Sequence, residues 1–372
     1  MAGGRPLGHG ADMDGLPAKI SPQGYVVIHG HFYQPPRENP WIEQIEVEPS
    51  ATPFHDWNTR ITAECYRPNG VARVYDGQGR ILDIVNNYQH LSFNFGPTLM
   101  SWLAAQAPDT YARILEADAQ SLAALGHGNA IAAPYHHVIL PLASRRDKVT
   151  EVRWGVADFR RRFGRDPEGM WLPEAAVDTE TLEVLAQEGI RFTILGPSQV
   201  RSAPAHGLPG RVVLPSGRSI AVVVYDGGLS HDVAFGQLLR DAHAWAARMA
   251  GEGEPAGAGK RLTALATDGE TFGHHHRWAD MALAAAILSL RPRPEARLEN
   301  FASFLARNPA TEEGEVVEPS SWSCAHGVER WRSECGCKLD PSKPAQQKWR
   351  TALRDALDGL ARDLHALFEE EA

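Results

Sequence analysis

Two stretches decide how this chain is read: Gly169-Met170-Trp171-Leu172-Pro173-Glu174-Ala175-Ala176, and Ala266-Thr267-Asp268-Gly269-Glu270-Thr271-Phe272-Gly273-His274-His275-His276. In each, a short apolar run with the character of a strand gives way to a loop at a carboxylate, Glu174 in the first and Asp268 in the second. Folds built on parallel strands place their chemistry at the carboxyl ends of those strands. Two acids delivered there from distant parts of the sequence therefore point to one shared site.

Working outward, Leu262 to Ala266 is the strand that delivers Asp268, and Met281 to Leu290 lies in the following helix. Met170-Trp171-Leu172 is a short strand, Asp178 caps a helix running to Glu188, Gly189 ends it, and Ile190 to Leu195 is the next strand. That sequence is a βαβ unit. Nearer the start, Tyr25 to Ile28 reads as a first buried strand that leads into His29-Gly30-His31-Phe32-Tyr33-Gln34 and is stopped by Pro35-Pro36. Residues 37–67 lack periodicity and read as a long ordered loop. Leu91 to Phe95 is a second strand, and two helices follow, Thr98 to Gln106 and Asp109 to Leu125, separated by Pro108. An apolar segment from Gly128 to Leu142, holding Tyr135-His136-His137, pairs with a helix from Arg145 to Phe163. Ser219 to Tyr225 is β-branched and ends at Asp226, ahead of a helix from about Gly236 to Met249. Strand-to-helix alternation recurs about six or seven times in this sequence, which favours an incomplete α/β barrel over an open sheet. Ser320 to Cys337 is a loop rich in Trp, Cys and Arg, and Pro344 to Glu371 has the apolar spacing of an amphipathic helix expected to pack on the barrel.

Composition narrows the class. A chain of 372 residues, 43% hydrophobic, buries a large core, and its net charge of -9 contains no long run of one sign. No nucleic-acid groove or basic membrane patch is expected, and a neutral or polar small molecule or polymer fits such a surface better. Residues 1–20 are expected to be disordered, and Met1 to Lys19 lack the apolar core of a signal peptide. The longest apolar run, Met281 to Leu290, is too short to span a bilayer, so a cytoplasmic setting is expected. The expected division is a catalytic barrel over residues 21–300 and a loop and helical region over residues 301–372. Gly251 to Gly259 reads as a linker without function, because the glycine spacing of a phosphate loop is absent.

Glycoside cleavage with retention needs a carboxylate nucleophile on one face of the sugar and a protonated carboxyl on the other, about 5 Å apart. Glu174 and Asp268 are the candidates. A glutamate near a helix start and an aspartate beside a glycine are also ordinary capping and turn residues. Here their surroundings argue for chemistry: Trp171 offers an aromatic face for a sugar ring, and three histidines follow Asp268 within eight residues.

The ordered set His29-Gly30-His31 with Gln34-Pro35, then Trp171-Leu172-Pro173-Glu174, then Asp268-Gly269-Glu270-Thr271-Phe272-Gly273-His274 resembles glycoside hydrolase family 57 over roughly Tyr25 to Trp331. The resemblance implies an incomplete (β/α)7 barrel with a C-terminal helical appendage, and a retaining mechanism on α-linked glucans, among them amylase, glucanotransferase and branching activities. It makes Glu174 the nucleophile and Asp268 the acid/base, with His29 and His31 holding the sugar next to the scissile bond. Gln34, Trp171, His137, Asp226, Glu270 and His274 join them as candidate substrate contacts. Two segments depart from the family pattern. Gly128-Asn129-Ala130-Ile131 stands where many members have a glutamate, and Tyr225 stands where an arginine is common. Ser321-Trp322-Ser323-Cys324-Ala325-His326-Gly327-Val328-Glu329-Arg330-Trp331 is not general to the family and looks like a subgroup whose members are commonly longer. Trp322, His326, Arg330 and Trp331 are expected to close over a sugar.

Two readings compete. A metal-dependent carbohydrate deacetylase would use an aspartate with two histidines, and His29, His31, His274, His275 and Asp268 are the donors available. No two of those histidines stand four apart, the spacing that puts both on one helical face, so no catalytic metal and no cofactor are expected. The other is a catalytically silent glycan-binding barrel, against which the intact pair of acids argues. Cys324, Cys335 and Cys337 with His326 have donors enough for zinc, but their gaps are not a common zinc spacing, and free thiols buried beside Trp322 and Trp331 are expected instead.

Overall fold

The computed structural model describes residues 24–252, 261–293, 296–338, 342 and 346–371. The N-terminal stretch expected to be disordered, residues 1–20, lies outside the described residues, as do residues 253–259 of the linker and position 344, where the last helix was expected to begin.

The chain has an α/β fold. Its first strand, Gly24–Phe32, pairs in parallel with Leu262–Asp268 on one side, and with Ser92–Phe95 and Ala296–Leu298 on the other. Parallel bridges continue outward from Phe93 to Ala130, from Ala132 to Met170 and from Gly169 to Phe192. Phe192–Leu195 then lies parallel to Ser219–Val224, which carries the antiparallel edge strand Gly210–Val213. The Asp226 backbone N–H donates to the carbonyl of Ala264 at 2.7 Å across the remaining gap, but no ladder closes the ring among the described residues.

Alternate side chains of these segments serve two layers, as expected of parallel strands covered on both faces. Val27, Ile131, Trp171, Phe192, Ile194, Val223, Ala264 and Ala266 meet in one cluster. Val26, Ile28 and Phe93 point the other way, into the layer shared with the helices. Those helices follow local signals. Pro97 and Pro108 occupy the first turns of Pro97–Gln106 and Pro108–Leu125, where a missing N–H costs nothing. Asp178 caps Thr179–Gln187 by accepting from the Thr181 N–H at 2.7 Å. The same carboxylate pairs at 3.0 Å with Lys148, which is buried on Arg145–Phe163, so one residue ties two helices together.

Four expectations change. Residues 37–67, read as a loop, contain the helix Trp57–Ile61 and a π-helical turn, Thr62–Tyr66, that runs into Arg67–Gly70. Asp56 caps this helix by accepting from the Thr59 N–H at 2.8 Å. The helix expected from about Gly236 to Met249 begins only at Ala242, and the strand-end stretch ahead of it forms a further helix, Gly227–Ala234; Asp241 and Asp226 cap the two. Met170-Trp171-Leu172 forms no extended ladder, only the bridge at Met170 and its neighbour at Gly169. The last helix, Trp349–Glu371, does not bury its apolar row: Leu353, Leu357, Leu360 and Leu364 are each at least half exposed. Part of its contact with the body is polar, some of it with the charged first turn of Arg145–Phe163. Arg354 donates to the Leu142 carbonyl at 2.7 Å, and His365 lies 3.1 Å from Asp147. No helix among the described residues is long and apolar enough to cross a membrane.

Candidate active site

The floor of the site comes from strand ends. His31 is in register with Asp268 on one side and with Asn94 on the other, and His29 with Ser92. Because side chains alternate along a strand, His29, His31, Ser92 and Asn94 share one face. His29 Nδ1 lies 3.0 Å from Ser92 Oγ, and the Asn94 side-chain amide is within hydrogen-bond distance of both rings, 3.3 Å from His29 Nε2 and 3.0 Å from His31 Nδ1. His31 Nε2 is 3.3 Å from His137 Nε2, and His137 stacks on Tyr33 at 4.0 Å between ring centroids. Burial pushes the His29 imidazole down to about 3 and that of His31 well below its ordinary value. The floor is a set of neutral hydrogen-bonding rings, not a set of cations.

Trp171 lies beneath these rings. It is fully buried and stacks on His29 at 5.0 Å and His31 at 5.1 Å. The sequence suggested an open platform for a sugar; the parallel segment that carries Trp171 turns it into the interior cluster instead, where it supports the histidines.

Glu174 stands just past this segment in a left-handed backbone conformation, φ 58° and ψ 17°, which costs a non-glycine residue about 1–3 kcal/mol. The loop from the far end of the chain holds it there. Trp322 donates its backbone N–H to the Glu174 carbonyl at 3.0 Å and its indole N–H to Glu174 Oε2 at 3.2 Å. Ser323 Oγ donates to the same oxygen at 2.5 Å. Asp268 remains accessible at the end of its strand but is crowded by surrounding protein. Burial, with the Glu174 charge as a second cause, pushes its carboxyl up to about 6. Tyr225 lies near enough for Asp268 to reinforce the effect of burial, and its phenol is pushed up to about 12. Its ring meets Trp322 edge-on at 6.4 Å.

A scan against family models matches residues 58–289 to glycosyl hydrolase family 57. The chain belongs to glycosyl hydrolase family 57. It is 23% identical over 105 residues to "Alpha-amylase 1" of Dictyoglomus thermophilum, a stretch covering 28% of this chain and 15% of the relative. It is 23% identical over 124 residues to "4-alpha-glucanotransferase" of Thermococcus litoralis, covering 33% of this chain and 18% of the relative. The matched stretches thus span under a fifth of either relative's length. The fold is similar to that of an exo-type maltose-forming amylase from Pyrococcus sp. ST04, with a TM-score of 0.69 and 16% identity over 91% of this chain and 62% of the other.

Within this family 57 chain, the remaining candidates fall into separate places. Glu270 is buried behind the floor, where its carboxylate accepts from Tyr66 Oη at 2.5 Å and from the Tyr33 N–H at 3.3 Å. Burial drives Glu270 up to about 8 against the hydrogen bond from Tyr66, and Asp268 adds to the rise. Gln34 is buried and accepts from Arg37 at 2.8 Å. Asp226 caps the helix after it, accepting from the Leu229 N–H at 2.9 Å. His274 pairs with Glu64 at 2.5 Å and lines a different cavity of about 610 Å³ with Arg60 and Trp278, apart from His29 and His31. Arg330 donates to the Ser323 carbonyl at 2.9 Å. Trp331 faces Trp349 and Leu353 across a cavity of about 380 Å³, and His326 lies against Cys337 at 3.5 Å. Of the expected clamp, Trp322 alone reaches Glu174 directly, while Arg330 acts on the peptide that carries Ser323.

Sequence reading missed Ser323, Asn94 and Tyr66. Ser92 and Asn94, two polar residues at alternate positions of the otherwise aromatic strand Ser92-Phe93-Asn94-Phe95, were a readable signal of a polar face turned to something. Ser323 and Tyr66 carried no such pattern.

Proposed function

We propose that this chain is a retaining glycoside hydrolase or transglycosylase acting on α-linked glucans or oligosaccharides, working by double displacement on an incomplete (β/α)7 barrel with a C-terminal helical appendage. The observation that carries this reading is the unequal treatment of two neighbouring acids. Glu174 Oε2 receives two hydrogen bonds, from Trp322 and Ser323, while Asp268 is pushed up to about 6. Donors aimed at one carboxyl suit it to be held as the nucleophile, and burial that raises its neighbour suits that one to carry the proton.

Donors on Oε2 fix the Glu174 carboxylate and leave Oε1 for attack on the anomeric carbon. Asp268 gives its proton to the departing glycosidic oxygen as the bond to it breaks, and a glycosyl ester to Glu174 forms. Asp268, now ionised, takes a proton from water or from a sugar hydroxyl, which attacks the same carbon and frees Glu174. Water gives hydrolysis; a hydroxyl gives transfer. His29, His31 and His137 supply uncharged contacts for the ring seated on the floor. The names of the two curated relatives, an amylase and a glucanotransferase, agree with α-glucans as the substrate class.

The test is incubation of the wild type, Glu174→Gln and Asp268→Asn with a panel of α-glucans and short α-linked oligosaccharides. Asp268→Asn is expected to lower the rate about 10²–10⁴-fold, and Glu174→Gln at least as much. Product formation unchanged in both variants would refute the assignment.

A further inference from the structure

The loop after Ser323 brings together four residues whose gaps along the sequence are not a common zinc spacing. Cys324 Sγ lies 3.9 Å from Cys335 Sγ and 3.8 Å from Cys337 Sγ, and Cys337 Sγ lies 3.5 Å from His326 Nδ1. All four donor atoms fall within 4.8 Å of one another. Zinc–sulfur and zinc–nitrogen bonds of about 2.3 and 2.0 Å in a tetrahedron put sulfurs about 3.8 Å apart and a sulfur about 3.5 Å from the nitrogen. A disulfide would bring one pair to about 2.05 Å and leave the third thiol alone.

The chain is bent to make this convergence. Gly327 and Gly336 have φ of 79° and 80°, a region that glycine enters without strain. A Cβ on Gly327 would also sit 2.4 Å from the Pro319 carbonyl oxygen. The sulfurs receive the support typical of metal-bound thiolates. Backbone N–H groups of His326 and Arg330 point at Cys324 Sγ, that of Cys337 at Cys335 Sγ, and Arg350 approaches Cys335 Sγ at 4.0 Å. Cys324 is buried, but Cys335 and Cys337 are only half-buried, unlike thiols used as core packing.

We propose that Cys324, His326, Cys335 and Cys337 bind a structural zinc ion through three thiolates and one imidazole, and that this ion holds the loop carrying Trp322 and Ser323 against Glu174. Binding releases the three thiol protons to solvent and needs no oxidant. The ion also anchors the last helix: Gln347, just before it, donates to the Cys337 carbonyl at 3.0 Å and accepts from the Gly336 N–H at 3.2 Å. The ion's presence does not depend on the role given to Glu174; its effect on turnover does.

The test uses the full chain, produced with zinc and purified under reducing conditions. Elemental analysis is expected to give one zinc per chain, and X-ray absorption a shell of three sulfurs and one nitrogen. Cobalt substitution is expected to give thiolate-to-cobalt charge-transfer bands and tetrahedral visible bands, lost in Cys335→Ser and Cys337→Ser. Stripping the zinc from the wild type is expected to lower the melting temperature. Zinc far below stoichiometry, a shell of oxygen and nitrogen only, stoichiometric iron, or a disulfide among the three cysteines would each overturn the proposal. The wild-type measurements decide even if the variants do not fold. Stoichiometric zinc with inactive wild type would count against the glycosidase reading alone.

Discussion

The floor under Asp268 and the loop over Glu174 are built by opposite means. His29, His31, Asn94 and Asp268 sit at the ends of three adjacent parallel strands, braced from below by the buried Trp171. Ser323 and Trp322 come from an irregular segment that reaches Glu174 from 148 and 149 positions away and is shaped by glycine turns and a knot of cysteines. The strand-built side fixes geometry through the backbone ladder and tunes its carboxyl by crowding it with surrounding protein. The loop-built side fixes geometry through a few side-chain bonds, so single substitutions reach it more easily.

The largest effect that separates the two is expected from Ser323→Ala. Removing one preorganised donor costs about 10²-fold in turnover, and here it also frees the Glu174 carboxylate to rotate. A loss under threefold in kcat would make the loop a bystander and leave the floor as the whole site. Next is pH. Asp268 must be protonated to act as an acid, and its carboxyl lies at about 6. Activity measured as kcat/KM is therefore expected to fall about tenfold per pH unit above that value. An alkaline limb near 4 would show that the strand end does not shield Asp268. The smallest effect concerns stability. Glu270 has an ordinary value of 4.5 and is held at about 8 in the fold, so the folded chain binds a proton that the unfolded chain releases. The stabilisation is full below 4.5 and is lost as pH rises through about 8, by a few kcal/mol at most. Glu270→Gln, which keeps an acceptor for Tyr66, is expected to flatten the melting temperature between pH 5 and pH 8. An equal slope in wild type and variant would sink the idea.

Much of the floor was legible in the sequence because periodicity encodes it. Apolar runs ending at His29-Gly30-His31 and Asp268 marked strand ends, and Asp178 announced its helix. Trp171 was misjudged because a tryptophan beside a candidate catalytic carboxyl looks the same in sequence whether its segment faces inward or outward. The helices within residues 37–67 were missed because charges and prolines obscure their spacing and a π-helical turn has no propensity signal. The exposed row of the last helix was missed for another reason: an amphipathic pattern says that a face wants cover, not that a neighbour provides it. For the cysteines, gaps along the chain argued against a shared ion, but distance along a turning loop says little about distance in space.

The hydrogen bonds from Trp322 and Ser323 to Glu174 also set an order of events. Both acids lie in the part of the chain matched to family 57, which is made first, while the donors to Glu174 come later. At about 5–20 residues per second, the ribosome adds the stretch between them over seconds, and domains fold as their residues emerge. A nascent chain thus carries both carboxyls before the donors to Glu174 have been made. The loop of Trp322 and Ser323 therefore completes the surroundings of Glu174 after the strands that carry the floor have been made.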